Sequence, residues 1–366
     1  MTNTPPEIRS DFPNVSSSFR DFLAALPKAE LHLHIEGTLT PEMKWQLAQR
    51  NGVSLPYASI DEMRAAQNFE APDAPSYLKK FIQHYNEGMS VLSTERDFYD
   101  ITLSHLARCR DETVRYVEFM FDPQPHLARG VPFQAFFTGM DEARRVGARD
   151  YGVESNFILS INRDLPLETA HLALDAAAPF RDRIVGFGLD SVEEGNPPSK
   201  FIDLYDRARS EEYRLTAHCD VDQTDAVGHI RDCLDLLKVE RIDHGINAIE
   251  DPALVEILRE RKTCLTTCPT WRPIDAAPRR VDRIRTMYDL GLTVTLNTDD
   301  PGLFTSGTLG TLLPPVAAAG NFTPAEMANF MINAFESAWL PADQRTRYVE
   351  EVRAFVSAHA SLGVMS

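Results

Sequence analysis

The chain has 366 residues, and its 37 basic against 54 acidic side chains give a net charge of −17. That charge repels phosphate backbones, and no Lys/Arg cluster is dense enough to reverse it locally, so nucleic acid is excluded as an expected partner. Five cysteines at irregular spacing (Cys109, Cys219, Cys233, Cys264, Cys268) argue against a disulfide framework and for a reducing, cytoplasmic setting. Residues 1–18 are polar and proline-bearing, without the basic start and apolar stretch of a signal peptide. They read as a flexible segment ahead of a single domain over 19–366. Nowhere do about 20 apolar residues run together, so no membrane partner is expected.

In chain order, residues 30–34 (ELHLH) form the first predicted strand, with His32 and His34 on one face because side chains two apart on a strand point the same way. Residues 40–113 are too long for one crossover helix. They carry helical patterns at 41–51, 76–92 and 96–108 and read as an insertion over a barrel mouth. Further strands are predicted at 114–121, 154–161, 184–189, 214–218, 241–244, 264–267 and 293–297. Most intervals have a 3.6-residue period, as in KFIDLYDRARS (200–210) and ALVEILRER (253–261). Two more helices, 324–338 and 341–359, close the chain, with Thr323 and Pro324 at N-cap and N1. Eight strands alternating with helices imply parallel strands and a (β/α)8 TIM barrel. An open doubly wound sheet would want a glycine-rich turn after the first strand, and Gly37-Thr38-Leu39-Thr40 is not one.

A barrel builds its site at the C-terminal ends of its strands. Strand one ends in His32 and His34, strand five in His218, strand six in His244, and strand eight in Asp299 and Asp300. Taken singly, each histidine reads more readily as structural, and Asp299-Asp300-Pro301 reads as a helix start or turn. Together they do not, since structural histidines have no reason to gather at strand ends of one barrel. Imidazole and carboxylate are zinc donors, and two of them on one strand leave room for others and for water. Cys264-x-x-x-Cys268 has the wrong spacing for a zinc knuckle and reads as buried packing. For His126, after strand two, pocket lining and loop packing both stay open. His84, His105, His171, His229 and His359 fall in helical patterns.

Three motifs, LPKAELHLHIEGTL, RIDHGIN and TLNTDDP, make the chain resemble the adenosine/adenine deaminase family of metal-dependent amidohydrolases, over most of its length. HIEGTL, FDPQPHLARG and GLDSVEEGNPPSKF look more like the bacterial adenine deaminase branch. The resemblance implies one zinc ion held by His32, His34, His218 and Asp299, with iron or manganese compatible with the same donors. It implies that His244 orients and deprotonates the attacking water, that Asp300 meets N7 of a purine, and that Glu36 lies where a ribose is received or excluded. Asp190, in the GLDSVEEGNPPSKF stretch, joins these as a substrate-binding position. The reaction implied is hydrolytic deamination of a 6-aminopurine, adenine or adenosine-like, to the 6-oxopurine and ammonia. The partner is then a small purine or related heterocycle, and homo-oligomerisation is left open.

One departure falls on the chemistry. The family motif His-Ala-Gly-Glu on strand five is His218-Cys219-Asp220-Val221 here, so valine replaces the glutamate that protonates the ring. General acid help is worth about 10²–10⁴-fold, and the nearby carboxylates that could replace it are Asp220 and Asp222. After strand seven, Cys268-Pro269-Thr270-Trp271-Arg272-Pro273 replaces the family's Cys-Pro followed by Ser-Asn, which reshapes that wall of the pocket. Two rivals follow: a deaminase or cyclic-amide hydrolase acting on another heterocycle, and a catalytically weak purine-binding protein.

Overall fold

Parallel strands covered on both faces are apolar on both faces, or carry polar groups that find partners inside. The eight strands follow this rule, and in the computed structural model they are β1 Lys28–His34, β2 Val114–Phe121, β3 Glu154–Asn162, β4 Gly186–Asp190, β5 Arg214–Cys219, β6 Arg241–His244, β7 Cys264–Thr267 and β8 Val294–Leu296. The structure describes residues 15–67, 74–219, 224–269, 280–304 and 306–360. Asp220, Val221 and Asp222 lie outside the described residues, as do Thr270, Trp271, Arg272 and Pro273.

The strands pair in sequence order, each parallel to the next. A single bridge between Leu33 and Asp299 returns the end of the β8 arm to β1, so the sheet is a nearly closed (β/α)8 barrel. The expected strand positions hold, with ends moved by one or two residues.

The 40–113 segment divides in two. The Glu95–Asp111 helix, opened by a capping box of Thr94 and Asp97, packs on the Phe133–Val146 helix in the outer ring. Gly139 permits that close crossing, because a Cβ there would run into the Glu95 carbonyl. The Ala74–Ser90 helix instead lies beside the short turn Glu36–Thr38 at the barrel mouth.

Some helices among the described residues go beyond the periodicity. Ile60–Ala66 is short, and Leu309–Ala319 contains Pro314 and Pro315, a pair that reads as a breaker but whose neighbours Leu312, Leu313 and Val316 are buried. The Ser17–Ala25 helix opens where the flexible start was expected to give way to the domain, with Ser16 Oγ accepting from Phe19 N at 3.2 Å and Phe22 and Leu23 buried.

Inside the barrel, Glu118 of β2 and Arg241 of β6 pair at 2.6 Å, both fully enclosed. Tyr116 Oη (2.9 Å) and Trp339 N (2.6 Å) also donate to Glu118, and the guanidinium stacks 3.6 Å over the Trp339 ring. All five cysteines are buried free thiols. Among the described residues no helix is long and apolar enough to cross a membrane.

Candidate active site

Alternation along β1 sets Glu30, His32 and His34 on one face and Leu31 and Leu33 on the other, and all are buried. Glu30 Oε1 accepts from Thr298 N at 2.7 Å and Thr298 Oγ1 at 2.5 Å, and Asn297 Oδ1 accepts from Leu31 N at 2.9 Å. These bonds pin the chain after β8 to β1. Asp299 N then donates to His32 O (3.3 Å), and His34 N to Asp299 O (2.9 Å), which sets the Asp299 carboxyl between the two imidazoles. Asp299 and His244 both have left-handed backbones, φ 66° and 63°. Such positions cost on the order of 1–3 kcal/mol and concentrate at functional sites.

Asp299 Oδ1 lies 3.3 Å from His32 Nε2 and 3.6 Å from His34 Nε2. His34 Nε2 is in turn 3.2 Å from His218 Nε2. Donors 2.0–2.2 Å from a tetrahedral ion stand roughly 3.3 Å from one another, so these spacings fit a single bound metal. His244 faces the other carboxylate oxygen, with Nε2 4.0 Å from Asp299 Oδ2. His32, His218, His244 and Asp299 also form a group whose ligand atoms all lie within 4.8 Å of one another, while His34 groups at that distance with Asp122 and Asp190. The five side chains are therefore one cluster, with His34 at the junction between the metal-type donors and the carboxyls beyond.

Partners behind the imidazoles set their tautomers. Thr266 Oγ1 donates to Asp243 Oδ1 at 2.8 Å, so its carbonyl, 3.1 Å from His32 Nδ1, accepts the ring proton. His218 Nδ1 lies 3.2 Å from Asp243 Oδ2. Both rings then carry hydrogen at Nδ1 and present a bare Nε2 to the cluster, the arrangement that carboxylate and carbonyl partners impose on metal-binding histidines. Burial alone would raise Asp243, but His218 and His32 hold it far below the usual carboxylate range. Asp299 is likewise held low against its burial, by His32, His244 and His34. Burial brings His34 down to about 4, against the pull of Asp122, so it is neutral at pH 7.

Beyond His34 the pocket is lined with carboxyls. Asp300 is pushed well up by burial and by Asp299, and its carboxyl occupies the space a Cβ on Gly37 would need. Asp190 is raised by burial and by Asp122, and Asn162 Nδ2 bridges the two, 3.0 Å from Asp190 Oδ1 and 3.2 Å from Asp122 Oδ2. Tyr85 Oη, from the Ala74–Ser90 helix, donates to Asp122 Oδ2 at 2.9 Å. Burial raises Glu36 to about 7. Glu36 Oε2, Asp122 Oδ1, Asp190 Oδ2 and Asp300 Oδ1 are buried and make no hydrogen bond.

The structure thus brings His32, His34, His218, His244 and Asp299 into one cluster and places Asp300, Glu36 and Asp190 beside it. Asp220 and Asp222 are outside the described residues. Asp122, Asn162, Asp243 and Tyr85 were missed. Asp122 follows β2 and Asn162 ends β3, so the strand-end rule could have found them. Asp243 adjoins His244 in the strand, and nothing local marks Tyr85.

A (β/α)8 barrel with three imidazoles and a carboxylate on its C-terminal rim defines an amidohydrolase-type enzyme, here a hydrolytic deaminase acting on C–N bonds. The chain belongs to the adenosine deaminase family, whose model matches residues 27–355. It is 43% identical over 342 residues to an adenine deaminase of Streptomyces coelicolor, covering 92% of this chain and 97% of that one. Among solved structures it is similar to the adenine deaminase of Arthrobacter aurescens, with TM-score 0.85 and 37% identity over 91% of this chain and 100% of that one. It is also similar to an amidohydrolase of Burkholderia ambifaria with bound zinc, with TM-score 0.83 and 27% identity over 96% and 97% of the two chains.

Proposed function

We propose that the protein catalyses zinc-dependent hydrolytic deamination of a 6-aminopurine, with adenine as the substrate, giving the 6-oxopurine and ammonia. The observation that carries this reading is the cluster of His32, His34, His218 and Asp299, in which Asp299 Oδ1 lies 3.3 and 3.6 Å from the Nε2 atoms of His32 and His34 and the latter lies 3.2 Å from His218 Nε2, with His244 beside the other carboxylate oxygen. His32, His34, His218 and Asp299 would hold the metal. When bound, zinc supplies the Lewis acidity that brings a water's pKa toward about 7.

The remaining work belongs to the chain's own residues. His244 takes a proton from the water that attacks C6. Asp300 holds N7, while Glu36 and Asp190 line the pocket around the base. Oxygen is gained at C6, and the amino group, protonated, leaves as ammonia. The ring-nitrogen proton that the family's glutamate provides would come from Asp220 or Asp222, since Val221 has none to give.

Metal analysis of the purified protein, with adenine and adenosine absorbance followed in the ultraviolet, tests the proposal. About one zinc per chain and turnover of adenine in preference to adenosine are expected. A protein without metal, or one that turns over no aminopurine, overturns it. Val221 favours one second reading, deamination or cyclic-amide hydrolysis of another heterocycle. A screen of aminated heterocycles with Asp220→Asn and Asp222→Asn variants separates the two, and turnover unaffected by either substitution removes both carboxyls as the acid.

A further inference from the structure

Glu36 is gripped by a chain of residues that the reaction above does not use. Arg129 is anchored by the carbonyls of Ser90 (3.1 Å) and Leu92 (3.0 Å), and its Nη2 lies 2.7 Å from His126 Nδ1. A guanidinium only donates, so Nδ1 accepts and the ring hydrogen is on Nε2. Nε2 donates to Glu36 Oε1 at 2.9 Å, and Asp122 N donates to the same oxygen at 3.2 Å. The His126 ring is fully buried and packed edge-on against Phe98, centroids 4.9 Å apart at 83°, and each of its nitrogens has a partner, Arg129 on Nδ1 and Glu36 on Nε2. Oε1 is thereby taken by two donors, while Oε2, equally buried, makes no hydrogen bond.

We infer that His126 and Arg129 are positioning residues that turn Glu36 so that Oε2 alone is offered to the substrate, where it pairs with an N–H on the five-membered ring of a free purine base. Glu36 sits in the same turn as Gly37, against which the Asp300 carboxyl is packed. Two adjacent carboxyls suit the imidazole ring of an unsubstituted purine, which carries one N–H and one lone pair. A 9-substituted purine has no N–H on that ring and leaves a buried carboxyl oxygen without its partner, which costs roughly 5- to 150-fold in binding. The inference rests on the aminopurine reading above.

Steady-state kinetics of metal-loaded wild type, His126→Phe, His126→Gln and Arg129→Met test it, with adenine as substrate and 9-methyladenine as competitive inhibitor. His126→Phe removes the donor and should raise KM for adenine about tenfold or more with kcat changed by less than about threefold. His126→Gln keeps an N–H and should recover most of the loss, Arg129→Met should fall between, and the inhibition constant of 9-methyladenine should stay nearly constant across the series. Equal losses for both ligands, or a lowered melting temperature with KM unchanged, would mean that the relay only packs the loop and would overturn the inference. Should His126→Phe fail to fold, Arg129→Met and His126→Gln carry the same comparison. A wild type inactive on every aminopurine overturns instead the reading on which the inference rests.

Discussion

His244 and Asp299 occupy left-handed backbone positions, and in the proposed reaction His244 takes the water's proton while Asp299 helps hold the metal. Their roles separate experimentally. His244→Gln should retain metal and lose about 10²–10⁴-fold in kcat, the range for a missing general base, whereas Asp299→Ala should lose the metal itself. Metal content and turnover measured on the same preparations check this. Away from the site, His105 is buried with neither ring nitrogen hydrogen-bonded, and burial with the nearby Arg108 charge holds its pKa well below the ordinary value. The folded state keeps it neutral, while the unfolded chain protonates near pH 6.5, so stability falls as pH drops through that value. His105→Leu should remove this term, gaining about 1.2 kcal/mol over wild type between about pH 7 and about pH 5.5, read by urea denaturation at both.

At the scale of elements, the Glu118–Arg241 pair ties β2 to β6 through the barrel interior, and Trp339 N brings the chain after the Pro324–Ser337 helix onto the same carboxylate. Removing one partner of a buried pair strands the other charge. Glu118→Gln should cost about 3–5 kcal/mol in urea denaturation, and a Glu118→Leu/Arg241→Leu double variant should cost less than the sum of its singles. The strands and the long helices were legible because their signals are local: alternation in ELHLH, the 3.6-residue period in 200–210, and Thr323 with Pro324 at a helix start. The Leu309–Ala319 helix was not, since Pro314-Pro315 contradicts it and only the burial of Leu312, Leu313 and Val316 sustains it.

For the whole molecule, the proposed metal donors come from the first strand, the fifth strand and the chain just after the eighth, so a bound ion would clasp a barrel whose β1–β8 seam is one bridge. A ligand that binds only the folded state stabilises it by about 2.7 kcal/mol at a hundred times its Kd. Stripping with a chelator should therefore lower Tm, and zinc should restore it. A Tm indifferent to both would count against a metal held by this cluster.

The order of the barrel and the identity of its rim histidines and aspartates were settled by the sequence alone, because strand periodicity and the strand-end rule act over a few residues. Val221, at the position where the resemblance implies a glutamate, was likewise read from the sequence. Tertiary structure decided which atoms face one another. Asp243 behind His218, Tyr85 on Asp122, and the Arg129–His126–Glu36 relay join residues from separate elements. The direction of each hydrogen bond depends on which donors and acceptors the folded barrel brings within 3 Å or so, a distance no local pattern encodes.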